Sequence, residues 1–194
     1  MNYVESKEIA QLKLKYPLFK AAHDLAMEVH GPVMRKGRGD VPYMYHIDEV
    51  VMNSIRYSED LLGPDVLDEE TLITIAALHD AFEDFPDTCS LQRIKNVLAA
   101  VTGSVVSAEE LDYIIEGIDA ISKREHPGQA RETYDAYVVR VLCHIYASIV
   151  KLGDLEHNMS DLQPGGRRGK YELTKFVLLS RFAKSDSKCS ITLR

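Results

Sequence analysis

Leu78-His79-Asp80-Ala81-Phe82-Glu83-Asp84 sets a histidine and an aspartate side by side at the end of an apolar run, with a second acidic pair one helical turn later. The preceding segment, Thr71 to Ala77, is mostly Leu, Ile and Ala and reads as a buried helix. A buried helix does not carry so many polar side chains without a partner for them. In helical geometry His79 and Glu83 stand one above the other at i, i+4, as do Asp80 and Asp84, so four polar groups project from two neighbouring lines of one helix. Three carboxylates that close together repel and raise one another's pKa unless a cation sits among them. A divalent ion removes that conflict.

A second cluster supports the same chemistry. Ser148 to Met159 is another apolar helical stretch, carrying Asp154 with Asn158 at i+4 and Lys151 at i−3. Together with His46, which closes Tyr43-Met44-Tyr45-His46, the chain offers His46, His79, Asp80 and Asp154 as a two-histidine, two-carboxylate set. Mixed imidazole and carboxylate ligation suits Mn²⁺, Fe²⁺, Co²⁺ or Zn²⁺ better than Ca²⁺, and the absence of cysteine near the cluster argues against a structural zinc site. Four protein ligands on an ion that takes six leave room for water and a phosphate oxygen, which is a catalytic arrangement. A lone histidine on an apolar helix is more often a hydrogen-bonded core residue. His126, in a Pro-Gly loop, and His144, at a helix junction, are read as unrelated to metal, and His157 is read as facing a different side from Asp154 and packing or hydrogen-bonding locally.

The elements that must position these groups read as helices. Pro17 to His30 places Leu18, Ala21, Ala22, Leu25, Ala26 and Val29 on one stripe, with Pro17 at a natural helix start. Met34 to Val41, basic and glycine-bearing, reads as a loop leading into a helix from about Tyr45 to Tyr57, and a loop with Gly63-Pro64 follows. A helix from Asp68 to Phe82 has Asp68 as its cap and Glu69 and Glu70 in its first turn. Ser90 and Ser107 cap helices to Val101 and to about Ser122; Lys123 to Arg131 reads as a surface loop. Arg131 to Cys143 and Ile145 to about Leu162 are two helices or one with a bend, Gln163 to Gly169 is the clearest linker, and Tyr171 to Ala183 is a final amphipathic helix. The expectation is an all-α fold, one domain over 1–184 followed by a flexible tail over 185–194.

Composition narrows the partners. The 194 residues carry 23 basic and 30 acidic side chains, and 23 − 30 = −7 leaves no basic footprint for a phosphate backbone, so nucleic acid is excluded. Three cysteines, Cys89, Cys143 and Cys189, share no CxxC spacing and read as unpaired thiols of a reducing compartment. The first residues lack an apolar h-region and no stretch has the apolar length of a membrane span. The expectation is a soluble, cytoplasmic protein without membrane contact, for which a homo-oligomer is allowed.

The order H…HD…D, with His46, His79-Asp80 and Asp154, resembles the HD-domain metal-dependent phosphohydrolases. Within them the chain most resembles the hydrolase domain of RelA/SpoT-type enzymes and their short single-domain relatives, which remove the 3′-pyrophosphate of the alarmone (p)ppGpp. The resemblance spans roughly residues 18 to 182. It rests on Arg35-Lys36-Gly37, Pro42-Tyr43-Met44-Tyr45-His46, Ala76 through Asp84, Ile115-Glu116-Gly117-Ile118 and Val150 through Met159. It implies an HD-domain helical bundle of about seven to nine helices and one Mn²⁺, or another divalent transition metal, on His46, His79, Asp80 and Asp154. Glu83 and Asp84 would orient and deprotonate the attacking water. Arg35 would stack on the purine with Lys36 beside it, and Lys151 and Asn158 would reach ribose or phosphate.

The chain departs from the alarmone hydrolases at Ile47, at Leu155, in a longer loop that carries Arg38, and at Asp161 and Pro164 on the base side. Those departures imply a weaker preference for guanine. A nucleotidase or nucleoside-triphosphate phosphohydrolase of the same superfamily is the alternative enzyme. A non-catalytic nucleotide sensor or antitoxin-like module is the alternative of another class.

Overall fold

The computed structural model describes residues 2–36, 38–101, 106–124, 132–160, 162 and 164–183. The segment around His126, Asp161, Cys189 and the 185–194 tail lie outside the described residues, as do the side chains of Arg38 and Gly39. Among those described, nine helices of nine residues or more, one single-turn helix and one short hairpin make an all-α bundle, as the periodicity implies.

The helices are α1 (Lys7–Lys15), α2 (Pro17–His30), α3 (Met44–Leu62), α4 (Glu69–Leu78), α5 (Ala81–Asp84), α6 (Leu91–Ala99), α7 (Ala108–Ile121), α8 (Tyr134–Cys143), α9 (Ile145–Ser160) and α10 (Gly166–Ser180). Their starts are written in the sequence. Asp68 Oδ1 accepts the Thr71 N–H, Ser90 Oγ the Arg93 N–H, and Ser107 forms a reciprocal capping box with Glu110. Pro17 opens α2, and Gly63, at φ 97°, ends α3 in a conformation that a side chain would strain.

Three local expectations are corrected, and one helix was not expected. Where a loop is expected, Met34–Arg35 (β1) and Arg38–Pro42 (β2) form an antiparallel pair; the short strands carry no apolar alternation that would announce them. The helix expected to run from Asp68 to Phe82 breaks at His79-Asp80, and α5 resumes at Ala81. The linker ends early, since α10 starts at Gly166 despite its two glycines. α1 went unread because the segment is mostly polar and buries only Ile9.

α3, α4 and α9 form the centre. Ile47, Val50, Val51, Ile73, Ile75, Ala76, Ile149, Val150 and Leu152 are all fully buried there. α3 and α9 approach closely at Gly153: a Cβ would meet Ser54 Oγ at 3.0 Å and the Val50 carbonyl oxygen at 3.1 Å, so only glycine fits without displacing α3. Asn53 Nδ2 donates to the Gly153 carbonyl at 3.3 Å across the same contact. The residue after that glycine is Asp154.

Candidate functional site

Three helices meet to bring the candidate ligands together. His46 lies in the first turn of α3, His79 follows the last residue of α4, and Asp154 sits on α9. One ligand atom from each falls within 4.8 Å of the other two, and all three side chains are buried. Asp154 Oδ1 is 3.4 Å from His46 Nε2 and 3.9 Å from His79 Nε2. Asp80, the fourth expected ligand, is not part of that three-residue group but lies beside it at the helix break: its Oδ2 is 3.0 Å from His79 Nε2 and 3.5 Å from His46 Nε2.

The break in α4 is what aims His79. Its Nδ1 donates to the Ala76 carbonyl at 2.8 Å, a side-chain bond that takes over an acceptor of the helix and ends the regular ladder. That leaves Nε2 turned to the carboxylates, and this buried nitrogen makes no well-formed hydrogen bond. Its surroundings are strongly anionic. Burial opposes a charged ring, but Asp80 and Asp154 outweigh it and raise the His79 pKa to about 9. Burial likewise disfavours the Asp154 carboxylate, yet Lys151 and the two imidazoles hold its pKa well below the usual range. Two buried imidazole Nε2 atoms converging on a low-pKa carboxylate form a donor set that fits a divalent cation, which would displace the proton from His79.

Each candidate ligand also has a hydrogen-bond partner outside the group. Lys151 Nζ donates to Asp154 Oδ2 at 2.7 Å, leaving Oδ1 towards the histidines, where Asn158 Nδ2 also reaches it. Tyr43 Oη donates to Asp80 Oδ2 at 2.5 Å. His46 Nδ1 lies 2.8 Å from His157 Nδ1, the rings stacked at 21°. His157 therefore corrects the expectation of a local role: at i+3 from Asp154 it shares that residue's face of α9, a spacing visible in the sequence. His144 does stand apart from the metal group, its Nδ1 accepting from the Ala147 N–H and its Nε2 facing the Tyr113 carbonyl.

The remaining predicted residues divide. Arg35 lies on β1, and its guanidinium donates to Asn158 Oδ1 at 3.1 Å, so Asn158 links the hairpin to Asp154. Arg35, Lys36, Tyr43, Asp84, Phe85 and Asn158 line one cleft of about 750 Å³. Lys151 is not on that surface; it is buried against Asp154 with its ammonium 5.5 Å from the Tyr137 ring. Glu83 and Asp84 have different surroundings. Glu83 is held by Lys123, which donates from Nζ to Oε1 at 2.7 Å and from its backbone N–H to Oε2 at 2.9 Å. Asp84 faces the cleft, and burial, Asp80 and Glu83 raise its pKa to about 6.

Structure adds three residues that sequence reasoning missed. Lys123 lay in an expected surface loop and has no signal, because only the fold brings it to Glu83. Arg167 and Tyr171 line the cleft from the first turns of α10; their i, i+4 spacing becomes meaningful once the supposed linker is helical. Cations from Arg35, Lys36 and Arg167 and rings from Tyr43, Phe85 and Tyr171 give this cleft the character of an anionic, aromatic ligand site, within a chain of net charge −7.

No protein-family model matches the chain, and no curated protein matches it. Among the described residues, no helix is long and apolar enough to cross a membrane, and Cys89 and Cys143 are free thiols.

Proposed function

We propose that the chain is a metal-dependent phosphohydrolase of the HD type that removes the 3′-pyrophosphate from a purine nucleotide of the (p)ppGpp class. One observation carries the reading: the buried His46, His79 and Asp154 group borders a cationic, aromatic cleft, because Asn158 and Tyr43 both line that cleft and bond to Asp154 and Asp80. His46, His79, Asp80 and Asp154 would hold the ion, a donor set that suits Mn²⁺, Fe²⁺, Co²⁺ or Zn²⁺, of which the resemblance to the HD-domain phosphohydrolases favours Mn²⁺. When bound, a divalent ion supplies Lewis acidity towards a phosphate oxygen and acidifies water.

The chain's own residues supply the rest. Arg35, fixed by Asn158, and Lys36 take the anionic nucleotide, and Arg167, which lines the same cleft, adds a third cation. Tyr43, Phe85 and Tyr171 offer faces and edges to the base. Asp84 accepts a proton from the attacking water, since its carboxylate faces the cleft and its pKa of about 6 suits a base near neutral pH. Glu83 holds Lys123 at the site and adds negative charge beside Asp84.

The test is elemental analysis of purified protein followed by a Mn²⁺-supplemented product assay on ppGpp, ppApp, GTP, dGTP and GMP. Stoichiometric transition metal with turnover of the two 3′-pyrophosphorylated nucleotides supports the proposal. Turnover confined to the ordinary mono- or triphosphates selects the nucleotidase alternative, and binding without turnover of any selects the sensor.

A further inference from the structure

The two histidines of the metal group obtain their orientation differently, and the difference assigns a role to a third. His79 follows a complete helix and uses the carbonyl of Ala76, three residues back, to hold its Nδ1–H. His46 lies in the first turn of α3, where the carbonyl three residues back, that of Tyr43, already accepts the His46 N–H at 2.8 Å and the Ile47 N–H at 3.4 Å. An acceptor for the His46 ring must come from another element. α9 provides it: His157 Nδ1 stands 2.8 Å from His46 Nδ1, with the ring centroids 5.0 Å apart.

Two ring nitrogens at that distance share one proton. Both protonated would repel and both bare would leave two lone pairs facing each other. His46 Nε2 is the atom that faces Asp154 and Asp80, so ligation through it places the single proton of the neutral ring on Nδ1. His157 must then accept at Nδ1 and carry its own proton on Nε2. We propose that His157 is a positioning residue for the metal centre, fixing the tautomer and the ring plane of His46 so that Nε2 is presented bare to a divalent cation. This rests on reading His46, His79 and Asp154 as a metal site. α9 then holds the centre twice, through Asp154 as ligand and through His157, three residues on, as the group behind a ligand.

The test compares Mn²⁺ affinity by isothermal titration for wild type, His157→Phe, His157→Leu and His157→Gln. Phe keeps a ring against His46 and Leu keeps apolar bulk, but neither has an acceptor; the Gln carbonyl restores it. The acceptor-free variants should bind Mn²⁺ on the order of 10- to 100-fold more weakly, the usual scale for losing such a partner, while Gln stays within about threefold. Metal-free melting temperatures should not follow that order. Either acceptor-free variant binding as tightly as wild type, or Gln binding as poorly as Phe, overturns the proposal. Wild type that binds no Mn²⁺ instead overturns the metal site itself. A measurement without substitution runs alongside: in Zn²⁺-loaded wild type, ¹⁵N shifts should show His157 protonated at Nε2 and bare at Nδ1. A proton on His157 Nδ1 contradicts the assignment.

Discussion

Lys123 occupies both carboxylate oxygens of Glu83, one through its ammonium and one through its backbone N–H, while the adjacent Asp84 faces the cleft. Neighbours in sequence are therefore unequal in chemistry. Asp84→Asn should keep bound metal and substrate affinity while kcat falls on the order of 10²-fold or more, the scale for losing a positioned proton acceptor. Glu83→Gln should cost less, because it weakens the hold on Lys123 without removing the acceptor. Steady-state kinetics with metal analysis of both variants decides it; a larger kcat loss in Glu83→Gln would exchange the two roles.

His79→Ala and Asp80→Ala should each lose metal and activity together. Removing one donor leaves the remaining buried charges uncompensated, since Asp154 and Asp80 owe their low pKa values largely to the imidazoles and Lys151 around them. Elemental analysis checks this, and wild-type metal content in either variant would remove that residue from the ligand set. Chelation of the wild type should abolish turnover, with recovery on adding Mn²⁺.

Arg35→Ala should raise KM on the order of 10-fold with a smaller change in kcat, as expected when one charge-assisted contact is shared by ground and transition states. Arg167→Ala should behave in the same way, since Arg167 lines the same cleft. A kcat effect larger than the KM effect in Arg35→Ala would instead indicate that its bond to Asn158 aligns Asp154.

His30 gives the fold a pH dependence with a definite sign. The ring is fully buried between Tyr43, stacked at 4.7 Å, and Phe85, and neither nitrogen has a hydrogen-bond partner. Burial lowers its pKa from 6.5 to about 4, with a partial offset from Asp80. The unfolded chain thus binds a proton that the folded chain refuses between those values, so this contribution is complete above pH 6.5 and is lost as pH falls towards 4. Linkage puts the loss at up to about 3 kcal/mol. Denaturant unfolding of metal-free protein should show wild type losing more stability than His30→Phe between pH 7 and pH 4.5; parallel profiles would contradict it.

What the sequence made legible follows from how local each signal is. The caps at Asp68, Ser90 and Ser107 and the apolar stripe of Pro17–His30 are written within one or two turns, and those elements begin where expected. His46, His79 and Asp154 were recognisable because polar groups in apolar helices need partners, and the fold brings them together. The hairpin at 34–42 and the helical start of α10 were not, since tertiary packing overrides weak strand signals and glycine's poor helix propensity. Lys123 could not have been found at all: its partner lies forty residues away in sequence. His157 could have been, had its i+3 spacing from Asp154 been used.

The most direct test is ³¹P NMR of Mn²⁺-loaded protein incubated with ppGpp and, separately, ppApp. The account predicts intact pyrophosphate as the phosphorus-containing leaving product and a nucleotide bearing a free 3′-hydroxyl, with both purines accepted and a modest preference between them. Persistence of both substrates, or orthophosphate released from their 5′ ends in place of 3′ pyrophosphate, would contradict it.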